Sequence, residues 1–299
     1  MMNTLTDLQA PAKLNVFLRV VGRREDGYHL LQSLFVLLDW HDTLHLEARL
    51  DGQIHRHDLG QALPADDLCL RAARLLQQHS GCRQGVDISI LKVLPSGAGM
   101  GGGSSDAATV LMGLNRLWNL GWSRPRLAQL GLQLGADIPF FLGGGSAIVE
   151  GIGERLTPVA LRPRHYLVVK PPVGVSTQTI FRDPGLTRDS KAAIVEGFLA
   201  DPLVMDAMLD GGTNLPNDLQ AVAVRHAPEI GEVVDWLSAH WGQGQMTGSG
   251  SAVFARETVA NAPLMATASG QSLLQAKPEP WEARWCRSLV QHPVVARLG

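Results

Sequence analysis

Cysteine is scarce in this 299-residue chain: Cys69, Cys82 and Cys286 are an odd number with no Cys-x-x-Cys spacing. That argues against a disulfide framework and against a thiolate metal site. A surplus of one charge sign is missing as well. Lys and Arg number 26 against 28 Asp and Glu, a formal net charge of −2 with a pI near 6.5. Proteins that neutralise nucleic-acid or lipid phosphates carry a basic excess or stripe, so neither nucleic acid nor membrane is an expected partner. Long hydrophobic runs are lacking too. The greasiest stretch, 30–38, is interrupted by Gln32 and Ser33, far short of the roughly 20 residues that span a bilayer. Met1 to Ala10 has no basic start and no apolar run, so it does not read as a signal peptide. What remains is ample core material, 45% hydrophobic against 18% charged residues. The expectation is a soluble cytoplasmic protein of one large domain or two.

Residues 12–20 alternate, with Ala12, Leu14, Val16, Leu18 and Val20 on one side and Lys13, Asn15, Phe17 and Arg19 on the other. Period two predicts a strand with one buried face and puts Lys13 and Asn15 together on the opposite, exposed face. A polar turn over 23–27 closes on Asp-Gly, and 28–38 and 43–49 read as separate extended segments. Asp66 and Asp67 predict an N-terminal cap for a helix through Gln78. Val86 to Ile90 alternates as a half-exposed strand and leads into a glycine loop. Beyond the loop, Ala107, Val110, Leu111, Leu114 and Leu117 recur at helical spacing, predicting a buried helix from Ser104 or Ser105. Near 155 the pattern changes. A strand at 167–169 and helices over 218–226 and 230–239 suggest a second α+β half, which divides the chain into 1–155 and 156–299.

The loop reads Pro95, Ser96, Gly97, Ala98, Gly99, Met100, Gly101, Gly102, Gly103, Ser104, Ser105. Glycine takes positive φ and lets backbone approach a ligand, at an ordering cost that disfavours such runs without a reason. Free N–H groups feeding a helix N-terminus form an anion site, because the donors lack partners and the helix dipole favours negative charge. Gly97-x-Gly99-x-x-Gly102 formally fits the dinucleotide fingerprint. However, the preceding strand carries Asp87 and Ser89, and 116–126 holds no acidic residue to bind a ribose. No Gly-Lys-Ser/Thr closes the loop either, so the Walker pattern fails. A Rossmann oxidoreductase and a P-loop enzyme are both disfavoured.

Three stretches together resemble the GHMP kinases, which phosphorylate small alcohols with ATP. They are Pro11-Ala12-Lys13-Leu14-Asn15, the glycine loop with Asp106-Ala107-Ala108, and Met246-Thr247-Gly248-Ser249-Gly250-Ser251. Gly27-Tyr28-His29, the run from Leu134 to Phe141, and Asn217-Asp218-Leu219 are similar to the branch acting on 4-diphosphocytidyl-2-C-methyl-D-erythritol. The similarity extends over about residues 11–255. It implies an α+β two-domain fold, with an N-terminal half like the second domain of a small-subunit ribosomal protein. The C-terminal half would be a ferredoxin-like α/β sandwich, with the active site in the cleft between them. The implied reaction moves the γ-phosphoryl group of ATP to the 2-hydroxyl of the erythritol moiety, in non-mevalonate isoprenoid synthesis.

The same resemblance assigns roles. Lys13 and Asp137 match the catalytic pair, and the Pro95–Ser105 loop matches the triphosphate cradle. Tyr28 and Phe181 match a pair that stacks on the cytosine, His29 a base-reading residue, and Asn15 a contact to substrate hydroxyls. Asp67 stands where the family usually has Asn near the adenine, and a carboxylate can only accept where an amide also donates. On their own, a strand lysine is ordinarily solvated and an Asp before Ile-Pro ordinarily caps a helix, so the combined match is what selects them. No zinc or calcium spacing is present, so the expected metal is Mg²⁺ carried by ATP, within reach of Ser104 or Ser105. Homoserine- or mevalonate-type kinases and a nucleotide-binding sensor without chemistry are the alternatives. The tail 257–299 carries no usable motif. A monomer or weak homodimer is expected.

Overall fold

The spine of the molecule is a strand the sequence splits in two. In the computed structural model, which describes residues 3–192, 202–211, 216–259 and 274–298, β1 (Thr4–Arg23) turns back into β2 (His29–Arg49). β2 runs 21 residues without a break. The polar residues at 39–42, which suggest a loop, sit within it because Asp42 is buried and its carboxylate accepts from the Val93 and Leu94 N–H groups at 2.6 and 2.8 Å. A buried polar group is tolerated when its hydrogen bonds are made.

Along its length β2 pairs antiparallel with β1 and with β4 (Gly85–Leu91). It also pairs with β5 (Ala147–Gly151), and at Leu37 and Leu38 with β10 (Glu282–Leu289). β3 (Ile54–Asp58) adds parallel to β4, and β6 (Arg155–Pro158) pairs with β5. Helices α1 (Leu68–Ser80), α2 (Gly102–Leu117), α3 (Arg124–Leu132) and α4 (Ile138–Gly143) cover this sheet. They bury Leu76, Val110, Leu111, Leu114, Phe140 and Phe141 against Leu8, Leu44, Leu46 and Ile88. The expected spacing of apolar residues on α2 faces the sheet as the 3.6-residue period requires.

In the second half, β7 (His165–Lys170) lies between β10 and β9 (Val253–Arg256), and β9 pairs with β8 (Gly244–Met246). Here α5 (Thr177–Arg182) and α6 (Pro202–Asp210) precede α7 (Gln220–His226) and α8 (Glu229–His240). Val222, Ile230, Val233 and Leu237 pack on Leu167, Val169 and Val253. The tail that lacks motifs ties the halves together. β10 bridges β7 to β2, and α9 (Pro293–Leu298) inserts Val294 and Val295 into the core of the first half. Among the described residues no helix is long and apolar enough to cross a membrane.

A third apolar cluster sits between the halves and joins Leu14, Val16, Leu34 and Trp40 to Tyr166, Val168 and Phe254. β1 is therefore buried on both faces, contrary to the single buried face its alternation predicts. Lys13 and Asn15 are covered, not solvated. The alternation also breaks: register shifts between Asn15 and Phe17, so Phe17 joins Leu14 and Val16 in that cluster. A bulge turns a side chain to the other face of a strand, as a one-residue slip does.

Candidate active site

Strand β1 and the glycine loop meet through backbone: the Lys13 N–H donates to the Met100 carbonyl at 2.9 Å. The loop is clamped from the other side by the turn that follows β8, where Ser251 N–H donates to Gly97 O and Ala252 N–H to Ala98 O, both at 3.1 Å. Ala98 and Met100 anchor the loop by burying their side chains in the central cluster. Gly99 has φ of +73°, and a Cβ there would lie 2.3 Å from the Thr247 carbonyl oxygen. Only glycine permits this approach. Asn217 staples the turn, its amide donating to the Met246 and Gly248 carbonyls at 2.8 Å each.

Helix α2 starts at Gly102, ahead of the predicted start at Ser104 or Ser105, with Gly101 at the cap in the left-handed region. No side chain caps it, so its first N–H groups face the space in front of the loop. That space is a cavity of about 410 Å³ lined by Lys13, Asn15, Asp137 and every loop residue from Pro95 to Ser104. Ser105 is the exception. It lies buried beneath the first turn, its hydroxyl without a partner among the described residues.

The Lys13 ammonium sits 3.7 Å from the Asp137 carboxylate and donates to Asn15 Oδ1 at 2.5 Å. Burial pushes this ammonium below the ordinary lysine range, while Asp137 pulls it back up. Asn15 is held in turn: its N–H donates to Thr247 Oγ1 and its amide to Ser33 Oγ, both at 2.9 Å. Asp137 occupies the N-cap position of α4 but makes no capping hydrogen bond, and its side chain is 34% exposed. Its carboxylate is therefore free for the cavity.

A second charged group escapes the sequence reading. Lys92, at the end of β4, lines the cavity and donates to Asp42 and, at 2.6 Å, to Asp106 on α2. Burial pushes its ammonium down, yet Asp106 and Asp42 more than offset this and hold it above the ordinary value. Burial pushes the Asp106 carboxyl up, with Lys92 opposing and Asp42 reinforcing. A strand-end lysine gives no signal in sequence, because its two carboxylates lie 50 and 14 residues away.

Asp67, the residue expected near the adenine, sits at the N-cap of α1. Its carboxylate caps α1 through the Leu70 N–H at 3.1 Å and pairs with Arg56 at 2.9 Å. It does not line the cavity.

Tyr28, His29 and Phe181 come together in an adjoining cavity of about 600 Å³, which shares Leu31, Ile152, Thr177 and Phe181 with the first. The His29 and Phe181 rings lie 4.9 Å apart, and Tyr28 stands 61% exposed at the turn between β1 and β2. Sequence reading passes over Arg188, which also lines this cavity and touches His29.

Comparison with known proteins agrees with this geometry. Residues 67–145 match the family model for the GHMP kinases N terminal domain. The chain is 53% identical over 298 residues to a protein of Methylibium petroleiphilum named 4-diphosphocytidyl-2-C-methyl-D-erythritol kinase, covering 100% of this chain and 99% of that one. A crystal structure of 4-(cytidine 5'-diphospho)-2C-methyl-D-erythritol kinase superposes with a TM-score of 0.74 at 34% identity, over 93% of this chain and 98% of that one. The homoserine kinase of Cytophaga hutchinsonii shares the fold, with a TM-score of 0.68 at 16% identity over 98% and 96% of the two chains. With a glycine cradle, a lysine–aspartate pair and an aromatic slot in one cleft, and relatives matched end to end, the chain belongs to the GHMP kinases, in the branch of the 4-diphosphocytidyl-2-C-methyl-D-erythritol kinases.

Proposed function

We propose that the chain transfers the γ-phosphoryl group of ATP to the 2-hydroxyl of 4-diphosphocytidyl-2-C-methyl-D-erythritol, a step of non-mevalonate isoprenoid synthesis. The observation that carries this is the Lys13–Asp137 pair, 3.7 Å apart, beside the uncapped N-terminus of α2 in one cavity. Phosphoryl transfer passes through a loose transition state, so the protein chiefly positions groups and stabilises charge.

The loop N–H groups and the positive end of α2 hold the phosphates, and Lys92 stations a cation among the lining residues. Asp137 orients the hydroxyl and takes its proton as the oxygen–phosphorus bond forms and the bond to the ADP oxygen breaks. Lys13 pairs with Asp137 and offsets negative charge at the transferring group. Mg²⁺ arriving with ATP would neutralise phosphate charge, and Ser104, which lines the cavity where Ser105 does not, is the hydroxyl suited to meet it. The cytosine would enter the second cavity, stacked between Tyr28 and Phe181 and read by His29. Asn15 holds Lys13 and keeps a second amide hydrogen for the substrate hydroxyls. All these residues come from one chain, so a monomer or weak homodimer in the cytoplasm suffices.

ADP release from Mg-ATP, with the cytidylyl substrate, homoserine, mevalonate and galactose offered in parallel, tests the assignment. The expected result is turnover with the cytidylyl substrate alone, with kcat lowered by about 10²–10⁴ in Asp137→Asn. Turnover of another alcohol instead would overturn the cytosine reading. ATP binding without any turnover would leave a nucleotide sensor.

A further inference from the structure

Arg188 lies in the segment after α5, and its guanidinium is fixed by three backbone carbonyls. Nη1 donates to Leu186 O at 3.0 Å, and Nη2 donates to Asp183 O at 2.7 Å and Phe181 O at 3.3 Å. With that plane set, the Nε hydrogen points at His29 Nε2, 3.1 Å away. A guanidinium donates five hydrogens and accepts none, so Nε2 of His29 is the acceptor. The neutral imidazole then carries its hydrogen on Nδ1. Burial, together with the positive charges of Arg188 and Arg23, holds the ring below the ordinary histidine range and so keeps it neutral. Among the described residues no group hydrogen-bonds Nδ1, and the ring lines the cavity proposed for the base.

The two pyrimidines differ in the atom such a donor would meet. Cytosine presents an unprotonated N3 beside the O2 carbonyl, whereas uracil presents N3–H. A fixed Nδ1–H can bond the first edge and collides donor-to-donor with the second. We infer that Arg188 is a positioning residue that fixes the tautomer of His29 and thereby makes this cavity discriminate cytosine from uracil. The inference rests on the cytidylyl substrate proposed above. The same guanidinium also holds the Phe181 carbonyl, so one side chain places both the reading ring and the ring packed 4.9 Å from it.

The test compares kcat/KM for the cytidylyl substrate and its uridylyl counterpart in the full-length wild type, Arg188→Gln and Arg188→Lys, alongside ¹⁵N NMR of His29. The wild-type spectrum should show a protonated Nδ1 and a bare Nε2. A glutamine amide can accept as well as donate and so frees the tautomer. In Arg188→Gln the cytidine-over-uridine ratio should fall on the order of tenfold, the scale of one mispaired buried donor. Lysine only donates, so Arg188→Lys should keep more of the ratio. A wild-type ring protonated on Nε2 would overturn the inference. So would an Arg188→Gln enzyme that loses activity equally on both substrates, since that marks a merely structural residue. In both cases wild-type turnover of the cytidylyl substrate leaves the proposed function standing. Absence of that turnover removes the proposed function and this inference with it.

Discussion

Lys13 is a lysine in an unusual place: its stem packs against Phe35 and Gly101, with Nζ 4.7 Å from the Phe35 ring centroid. A desolvated charge of this kind costs stability and persists where it does something. Lys13→Met keeps the stem and removes the charge. We expect kcat to fall about 10²–10³-fold, the range seen when one charge-stabilising donor is lost, while the melting temperature does not drop. Calorimetry and ADP release on the same variant check both halves, and a melting temperature that falls with activity would mark Lys13 as structural. In the wild type, the lowered pKa means the ammonium discharges at lower pH than an ordinary lysine. The alkaline limb of the kcat profile should move accordingly and vanish in Lys13→Met. Sequence reading selects Lys13, Asp137 and the aromatic pair through the family resemblance, since each stands in a motif of that family and not in a pattern that would mark it alone. It misses Lys92 and Arg188 because their partners, Asp42, Asp106 and His29, lie between 14 and 159 residues away.

The glycine loop is legible as an element, since strand, glycines and helix follow each other in a dozen residues. What period and composition leave out is which glycines are there for the ligand and which for the fold. Gly97 and Gly99 both have positive φ, +63° and +73°, yet a Cβ on Gly97 meets nothing within 4 Å while one on Gly99 strikes the Thr247 carbonyl. Gly97→Ala should therefore cost only the left-handed backbone strain, about 1–2 kcal/mol. Gly99→Ala should cost more, because it must also push the loop off the Thr247–Gly250 turn, and ATP affinity should fall with it. Denaturant unfolding of the two variants, with nucleotide titrations, measures the difference. Equal losses would show that the loop and the turn yield without cost. β2 teaches the converse lesson. Its polar stretch reads as a break, but Asp42 satisfies loop N–H groups contributed from residues 93 and 94, a long-range compensation that no local pattern reveals.

At the scale of the whole molecule, the halves are joined by chain that carries no recognisable motif. After β10 bridges the two sheets, His292 N–H donates to the Gly144 carbonyl at 2.8 Å, and its ring caps α9 by accepting from the Val294 N–H at 3.2 Å. That bond makes Nδ1 the acceptor and leaves the hydrogen on Nε2, which is buried without a partner among the described residues. The ring is fully buried, and burial pushes its pKa down to about 3. An unfolded histidine titrates near 6.5, so below that value the unfolded chain binds a proton that the native state refuses. Stability from this residue is present above about pH 6.5 and is lost on acidification, at up to about 1.4 kcal/mol per unit until the native ring itself titrates. His292→Asn replaces the cap with a group that does not titrate. The variant should be less stable at pH 8, because it leaves a void where the ring packed, but its stability should fall less steeply between pH 6 and pH 4. Urea unfolding across that range measures both slopes. Parallel slopes would mean that water or a proton reaches His292 in the native protein, and that the joint between the tail and the first half is looser than its burial implies.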